Sequence, residues 1–346
     1  MVDLVDKLES MEFAKVAFPR ERKQPGYIFE YEAQDLSGIP CPSVFLTLSY
    51  NPQGVLNQTF ISQGKGGSDE RAHTESLGIF NSILLQHGVP PQALIKTLSG
   101  IQGNTRPYEI VEERKIIYPS IEDVLTVLIK QYVNERDEPL DLISVKNPAY
   151  TNGKIKVPDE GNAKYVKVNF RNDKPPLYVF PTENEEGLLT QVFLQRGKSG
   201  GDESAHAESL GKLISLGLQY RIHPFRITKI LTGVRSSLVA YIQGGIYQSM
   251  EDAIGRIIFN WYLDKGVNLE ESYARVSKKG KEKGPIYFNI DKTNRDGEVN
   301  LEEIFSKQEE KEVCPGCNDE SCMKQLKPGT KGCFTWGCGH ATGACE

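Results

Sequence analysis

Apolar and polar residues alternate along GYIFEYEA, SVFLTLSY and VLNQTFIS, in the first sixty-odd positions. A period of two, rich in β-branched and aromatic residues and broken by NPQG, predicts antiparallel hairpins. From Asp69 the period lengthens. Leu77, Phe80 and Leu84 then fall on one face of a helix. A shorter helix is expected after Pro90-Pro91, stopping at Gly100, and another opens at Ser120. Ser120 stands three residues before Asp123, which resembles a capping box with Asp in place of Glu.

The second half follows the same plan. YVKVNF, PLYVF and LLTQVFLQ predict strands, with NEEG as a turn, and a helix starts at Asp202 with Leu210, Leu213 and Ile214 on its inner face. A short helix runs from His223-Pro224 to Gly233, and a last one opens at Ser249, three residues before Asp252. Hairpins with helices packed across them define an α+β class.

The two halves share sequence as well as pattern. GKGGSDERAHTESLG (64–78) and GKSGGDESAHAESLG (197–211) agree at eleven of fifteen positions. TFISQGK (59–65) answers VFLQRGK (192–198), and IYPSIEDVL (117–125) answers IYQSMEDAI (246–254). Each unit is about a hundred residues, the size of a domain and too long for a solenoid repeat. The expected organisation is an N-terminal segment (1–18), repeat 1 (19–135), a linker (136–160), repeat 2 (161–268), an extension (269–310) and a cysteine-rich, zinc-ribbon-like tail (311–346). Two copies of one domain could pack as a pseudo-dimer.

Composition narrows the function. A chain of 346 residues with net charge −5 gives no global reason to expect a nucleic-acid partner. No run of eighteen apolar residues is present, so no membrane span is expected. The acidic start MVDLVDKLESMEF lacks the charge and apolar core of a signal peptide, which points to the cytoplasm. Homo-oligomerisation is left open.

The repeated phrase carries the candidate chemistry. Gly78 and Gly211 sit mid-helix, where glycine costs about 1 kcal/mol against alanine, so close packing against a neighbouring backbone is expected. A glycine turn before a helix leaves N–H groups that suit an anion, and Lys65 and Lys198 would add charge. The GxxxxGK[ST] pattern fails in both copies, and a structural turn is favoured over a phosphate cradle. Asp69, His73 and Ser76 share a helix face, as do Asp202, His206 and Ser209. One helix rarely supplies a hydrolytic triad. A hydrogen-bonded Asp–His pair is the plain expectation, and two such pairs facing across a pseudo-dyad would line a ligand pocket.

Two features lie beyond the repeats. DKTNRDGEVNLEEIF (291–305) resembles a calcium loop but has Lys292 at the first ligand position, so a polar turn is preferred to calcium binding. Six cysteines crowd the end of the chain, and Cys314, Cys317, Cys333 and Cys338 form C-x2-C-x15-C-x4-C. Thiolates in two tight turns fit Zn²⁺, with a redox dithiol as the competitor. Cys322, Cys345 and His340 are left over, which leaves the fourth ligand open and makes Cys322 and Cys345 candidates for redox chemistry.

PRERKQPGYIFEYE (19–32), VFLQRGKSGGDESAHAESLGKLISLGLQY (192–220), IYQSMEDAIG (246–255) and the terminal CPGC…KGCFTWGCGHATGACE together resemble the C-terminal, TSCPD-type region of adenosylcobalamin-dependent (class II) ribonucleotide reductases. Such reductases carry one such region after a large catalytic barrel. Here two copies stand without room for the barrel, so the resemblance implies no catalytic residue in this chain, and adenosylcobalamin only through a separate reductase. It also implies metal binding or thiol relay for Cys314, Cys317, Cys333, Cys338 and Cys345, although Trp336 replaces a cysteine usual in the family. Three functions are therefore weighed. One is an accessory protein of deoxynucleotide synthesis, partnered by a class II catalytic chain. Another is a module binding a nucleotide or other small ligand through Lys65, Asp69, His73, Lys198, Asp202 and His206. The last is a structural zinc-ribbon adaptor.

Overall fold

The computed structural model describes residues 4–21, 24–52, 54–134, 146–158, 165–171, 174–242, 245–279, 323–327, 330–333 and 341–342. It divides into two units, Met1–Gly284 and Pro285–Glu346.

The first unit contains both repeats. In repeat 1, β1 (Gly26–Gln34), β2 (Pro40–Tyr50) and β3 (Leu56–Gln63) precede α2 (Asp69–Gln86) and α3 (Pro91–Leu98). Then come β4 (Arg106–Val111), β5 (Arg114–Ile117) and α4 (Ile121–Asn134). Repeat 2 has the same order: β6 (Val166–Phe170), β7 (Leu177–Glu183), β8 (Leu189–Arg196), α5 (Asp202–Gln219), α6 (Pro224–Leu231), β9 (Ala240–Ile242), β10 (Gly245–Tyr247) and α7 (Met250–Leu263). A first helix, α1 (Leu4–Ser10), and α8 (Leu269–Lys279) flank the pair. Each repeat forms a five-stranded sheet, β3-β2-β1-β4-β5 and β8-β7-β6-β9-β10, with every neighbouring pair antiparallel. The α+β expectation and the tandem duplication both hold.

Alternation places one face of each sheet inward. In β2, Val44, Leu46 and Leu48 are buried while Phe45 is exposed. In β7, Leu177 and Val179 are buried. The long helices lie across these inner faces, and the mid-helix glycines explain how closely. A Cβ on Gly78 would sit 3.0 Å from Ile61 N, and one on Gly211 would sit 2.9 Å from Val192 O. The turn before each helix needs left-handed backbone at Gly67 (φ +82°) and Gly200 (φ +82°), which glycine adopts without strain. Ser120 and Ser249 accept hydrogen bonds from the Asp123 and Asp252 N–H groups, at 3.2 and 3.0 Å, which starts the last helix of each repeat.

The repeats meet helix to helix. His73 of α2 faces His206 of α5, and about three turns further on the Leu84 side chain comes within 3.4 Å of a Cβ built on Gly217. Both contacts join equivalent positions, so α2 and α5 run in the same direction along a local pseudo-twofold axis. The helices therefore lie between the two sheets. The N-terminal segment threads this core, with Ala14 N–H on Arg221 O (2.8 Å) and Ala17 N–H on Gln86 O (2.8 Å). Within the linker, buried Asn147 donates to His87 O at 3.0 Å.

The second unit, taken by itself, has three short antiparallel strands: β11 (Met323–Lys327), β12 (Thr330–Cys333) and β13 (Ala341–Thr342). The calcium-like stretch 291–305 lies outside the described residues.

Candidate functional site

The duplicated phrase converges on the pseudo-dyad. α2 carries His73 and α5 carries His206, and their ring centroids are 3.6 Å apart with a tilt of 44°. Each imidazole reaches a buried carboxylate in the first turn of its own repeat's last helix. His73 Nε2 is 3.0 Å from Glu122 Oε1, and His206 Nε2 is 2.8 Å from Glu251 Oε1. The first contact is an aligned hydrogen bond. The second is within ion-pair distance but lacks that alignment. An ionised carboxylate only accepts, so Nε2 carries the proton in the His73 bond.

The site's electrostatics follow from its burial. Desolvation drives the His206 imidazole down to about 4, the His73 ring adds to this, and the Glu251 carboxylate opposes both without prevailing. Burial would raise Glu122 and Glu251, but the adjacent imidazoles outweigh it and hold both carboxyls well below their usual range. At neutral pH a neutral His206 therefore faces an ionised Glu251. Arg196, lowered by burial, places a positive charge near Glu203, Asp69 and Glu251.

The helix-initial aspartates do something the sequence reading did not foresee. Asp202 Oδ1 accepts from Asn104 N (2.7 Å) and Thr105 N (2.9 Å), and its Oδ2 accepts from Thr105 Oγ1 (2.9 Å). Asp69 Oδ1 accepts from Leu238 N (2.9 Å) and Ser237 Oγ (3.0 Å). Asn104 and Ser237 are equivalent positions, as are Thr105 and Leu238. Each repeat thus straps the loop of the other with its first helical acid. The expected Asp–His pairs are corrected accordingly: the partners of His73 and His206 are Glu122 and Glu251, because the aspartates are spent across the interface. No triad forms. Ser76 Oγ is buried without a partner, and Ser209 Oγ donates to His206 O at 3.1 Å. Lys65 and Lys198 are exposed on the turns.

Glu122 and Glu251 lie in the repeated S-x-E-D, between the capping serine and the aspartate whose N–H it accepts from. Among the described residues no group of three or more His, Cys, Asp or Glu side chains is placed to hold a metal ion. Of the tail cysteines, Cys333 ends β12; Cys314, Cys317, Cys322, Cys338 and Cys345 lie outside the described residues. No helix among the described residues is long and apolar enough to cross a membrane.

The family model for the TSCPD domain matches residues 30–133 and again 145–262. The chain belongs to the TSCPD domain family and carries two tandem copies of the domain. No curated protein and no solved structure is significantly similar to it. The TSCPD domain is associated with C-terminal regions of ribonucleotide reductases.

Proposed function

We propose that this protein is an accessory of ribonucleotide reduction: two TSCPD repeats form a rigid scaffold, and the cysteine tail binds zinc or relays thiol electrons to a separate class II catalytic chain. The observation that carries the reading is the tandem TSCPD match over most of the first unit. The interior of that unit supports a scaffold role. Among its distinctive polar groups, Asp69 and Asp202 are committed to contacts between the repeats, and Glu122 and Glu251 to a histidine within each repeat. In this reading the chain does no chemistry on ribonucleotides alone, and adenosylcobalamin stays with the partner. Zinc would be held by Cys314, Cys317, Cys333 and Cys338, with Cys322 and Cys345 free for exchange. The test is sedimentation of the purified chain with a class II catalytic chain from the same cell. A complex that loses its affinity when the tail cysteines become serine supports the reading, and two independent species refute it.

A second reading rests on the dyad itself. The paired imidazoles, each backed by a carboxylate, would orient a small ligand such as a nucleotide, with Lys65 and Lys198 as flanking charges. Native mass spectrometry of protein purified without chelator separates the two. A retained small molecule lost on His73→Ala and His206→Ala favours the ligand module, and zinc alone favours the accessory.

A further inference from the structure

The helices occupy the inner face of each sheet, which leaves two outer faces on opposite sides of the unit. Both are apolar at equivalent places. On sheet 1, Ile28 (74% exposed), Thr47 and Phe60 (45%) form a cross-strand row; on sheet 2 the equivalent place holds the pair Phe180 and Phe193 (56%), with Tyr165 (60%), the residue before β6, packed on Phe180. One row further, Phe45 of sheet 1 corresponds to Tyr178 of sheet 2. Tyr165 packs against both Tyr178 (5.7 Å) and Phe180 (5.8 Å), so the sheet 2 face is a contiguous aromatic surface. Exposed apolar surface of this kind, kept in both copies, marks a docking region.

The charges at the centre of the faces are opposite. Glu30 is the cross-strand neighbour of Phe45, and Lys167 is the cross-strand neighbour of Tyr178, so the two occupy the same position in their sheets. Both are exposed, and among the described residues neither side chain has a hydrogen bond or ion pair. Glu32 extends the acidic centre of sheet 1 and accepts from Tyr108, while Arg171 lies over Tyr241 on sheet 2. The cations on sheet 1 are peripheral, Arg20 over Phe60 and Lys115 over Tyr108.

We infer that the outer face of sheet 1 docks onto the outer face of sheet 2 of a second copy of this chain, with Glu30 opposite Lys167. The apolar rows supply the contact area and the central charges choose the pairing. Sheet 1 against sheet 1 would set Glu30 against Glu30, and sheet 2 against sheet 2 would set Lys167 against Lys167, both penalised by like charge. Only the mixed pairing matches. Because the two faces point away from each other, this contact is heterologous and does not close at a dimer.

The experiment is sedimentation velocity of the full chain over a range of concentrations, with Glu30→Lys and Lys167→Glu as separate variants. Both positions are exposed, and circular dichroism checks that the variants keep the fold. The wild type is expected to grow beyond a dimer as concentration rises. Each variant alone presents like charges on both faces and is expected to stay monomeric. Mixed in equal amounts, the variants restore opposite charges at every junction, and association is expected to return. A wild type that stays monomeric or stops at a dimer overturns the inference. So does a mixture that fails to recover, or a variant that associates as well as the wild type.

Discussion

The imidazoles of His73 and His206 touch across the pseudo-dyad at 3.6 Å between ring centroids, although 133 positions separate them in the chain. The repeated phrase is repeated because both copies build one interface from two sides. His73 and His206 mark one end of it and Leu84 against Gly217 the other, with Asp69 and Asp202 as reciprocal straps.

Acid should weaken this core. His206 is lowered to about 4, and His87 and His223 to about 3, each mainly by burial. In the unfolded chain they titrate near 6.5. Between those values the unfolded state binds protons that the folded state refuses, so stability falls as pH falls, by up to about 1.4 kcal/mol per pH unit for each group. Glu251, held below its usual range, adds a loss of the same sign at still lower pH. Urea unfolding at pH 7 and pH 5 should show a clear drop, with a shallower pH slope in His206→Gln. A flat profile would show that these rings are solvated.

The straps are testable one at a time. Asp69→Ala and Asp202→Ala each remove backbone hydrogen bonds across the interface and should cost about 1–2 kcal/mol. Asp202→Asn keeps an acceptor and should cost less. Thermal melts give the order directly, and equal effects for alanine and asparagine would contradict the strap.

Glycine substitutions should split by environment. A Cβ at Gly211 meets the Val192 carbonyl at 2.9 Å, which is backbone and cannot swing away. Gly211→Ala is therefore expected to destabilise by about 1–3 kcal/mol despite alanine's better helix propensity. At Gly217 the nearest atoms are the tips of Ile227 and Leu84, at 3.2 and 3.4 Å, and alanine should be close to neutral there. The two unfolding midpoints, measured side by side, settle the contrast.

Much of the fold was legible because both periodicities are clean. Alternation in SVFLTLSY and LLTQVFLQ became β2 and β8, and Asp69 and Asp202 do open the long helices. The mid-helix glycines did pack on backbone. The site was legible only in part. His73 and His206 stood out, but the face of one helix shows only neighbours three and four residues away, not a partner on another helix of the same repeat. It therefore gave them Asp69 and Asp202 in place of Glu122 and Glu251. Nor does duplication alone say that two copies pack helix to helix. That depends on which residues meet across the interface, such as Leu84 against Gly217.

The most direct measurement is the rate of ribonucleotide reduction by a class II catalytic chain with adenosylcobalamin and a dithiol reductant, with this protein present or absent. The accessory account predicts no turnover by this protein alone, and a rate that rises when it is added. It also predicts that the gain disappears when Cys314 and Cys317 are both changed to serine. Turnover by the pure protein, or a rate indifferent to its presence, would contradict it.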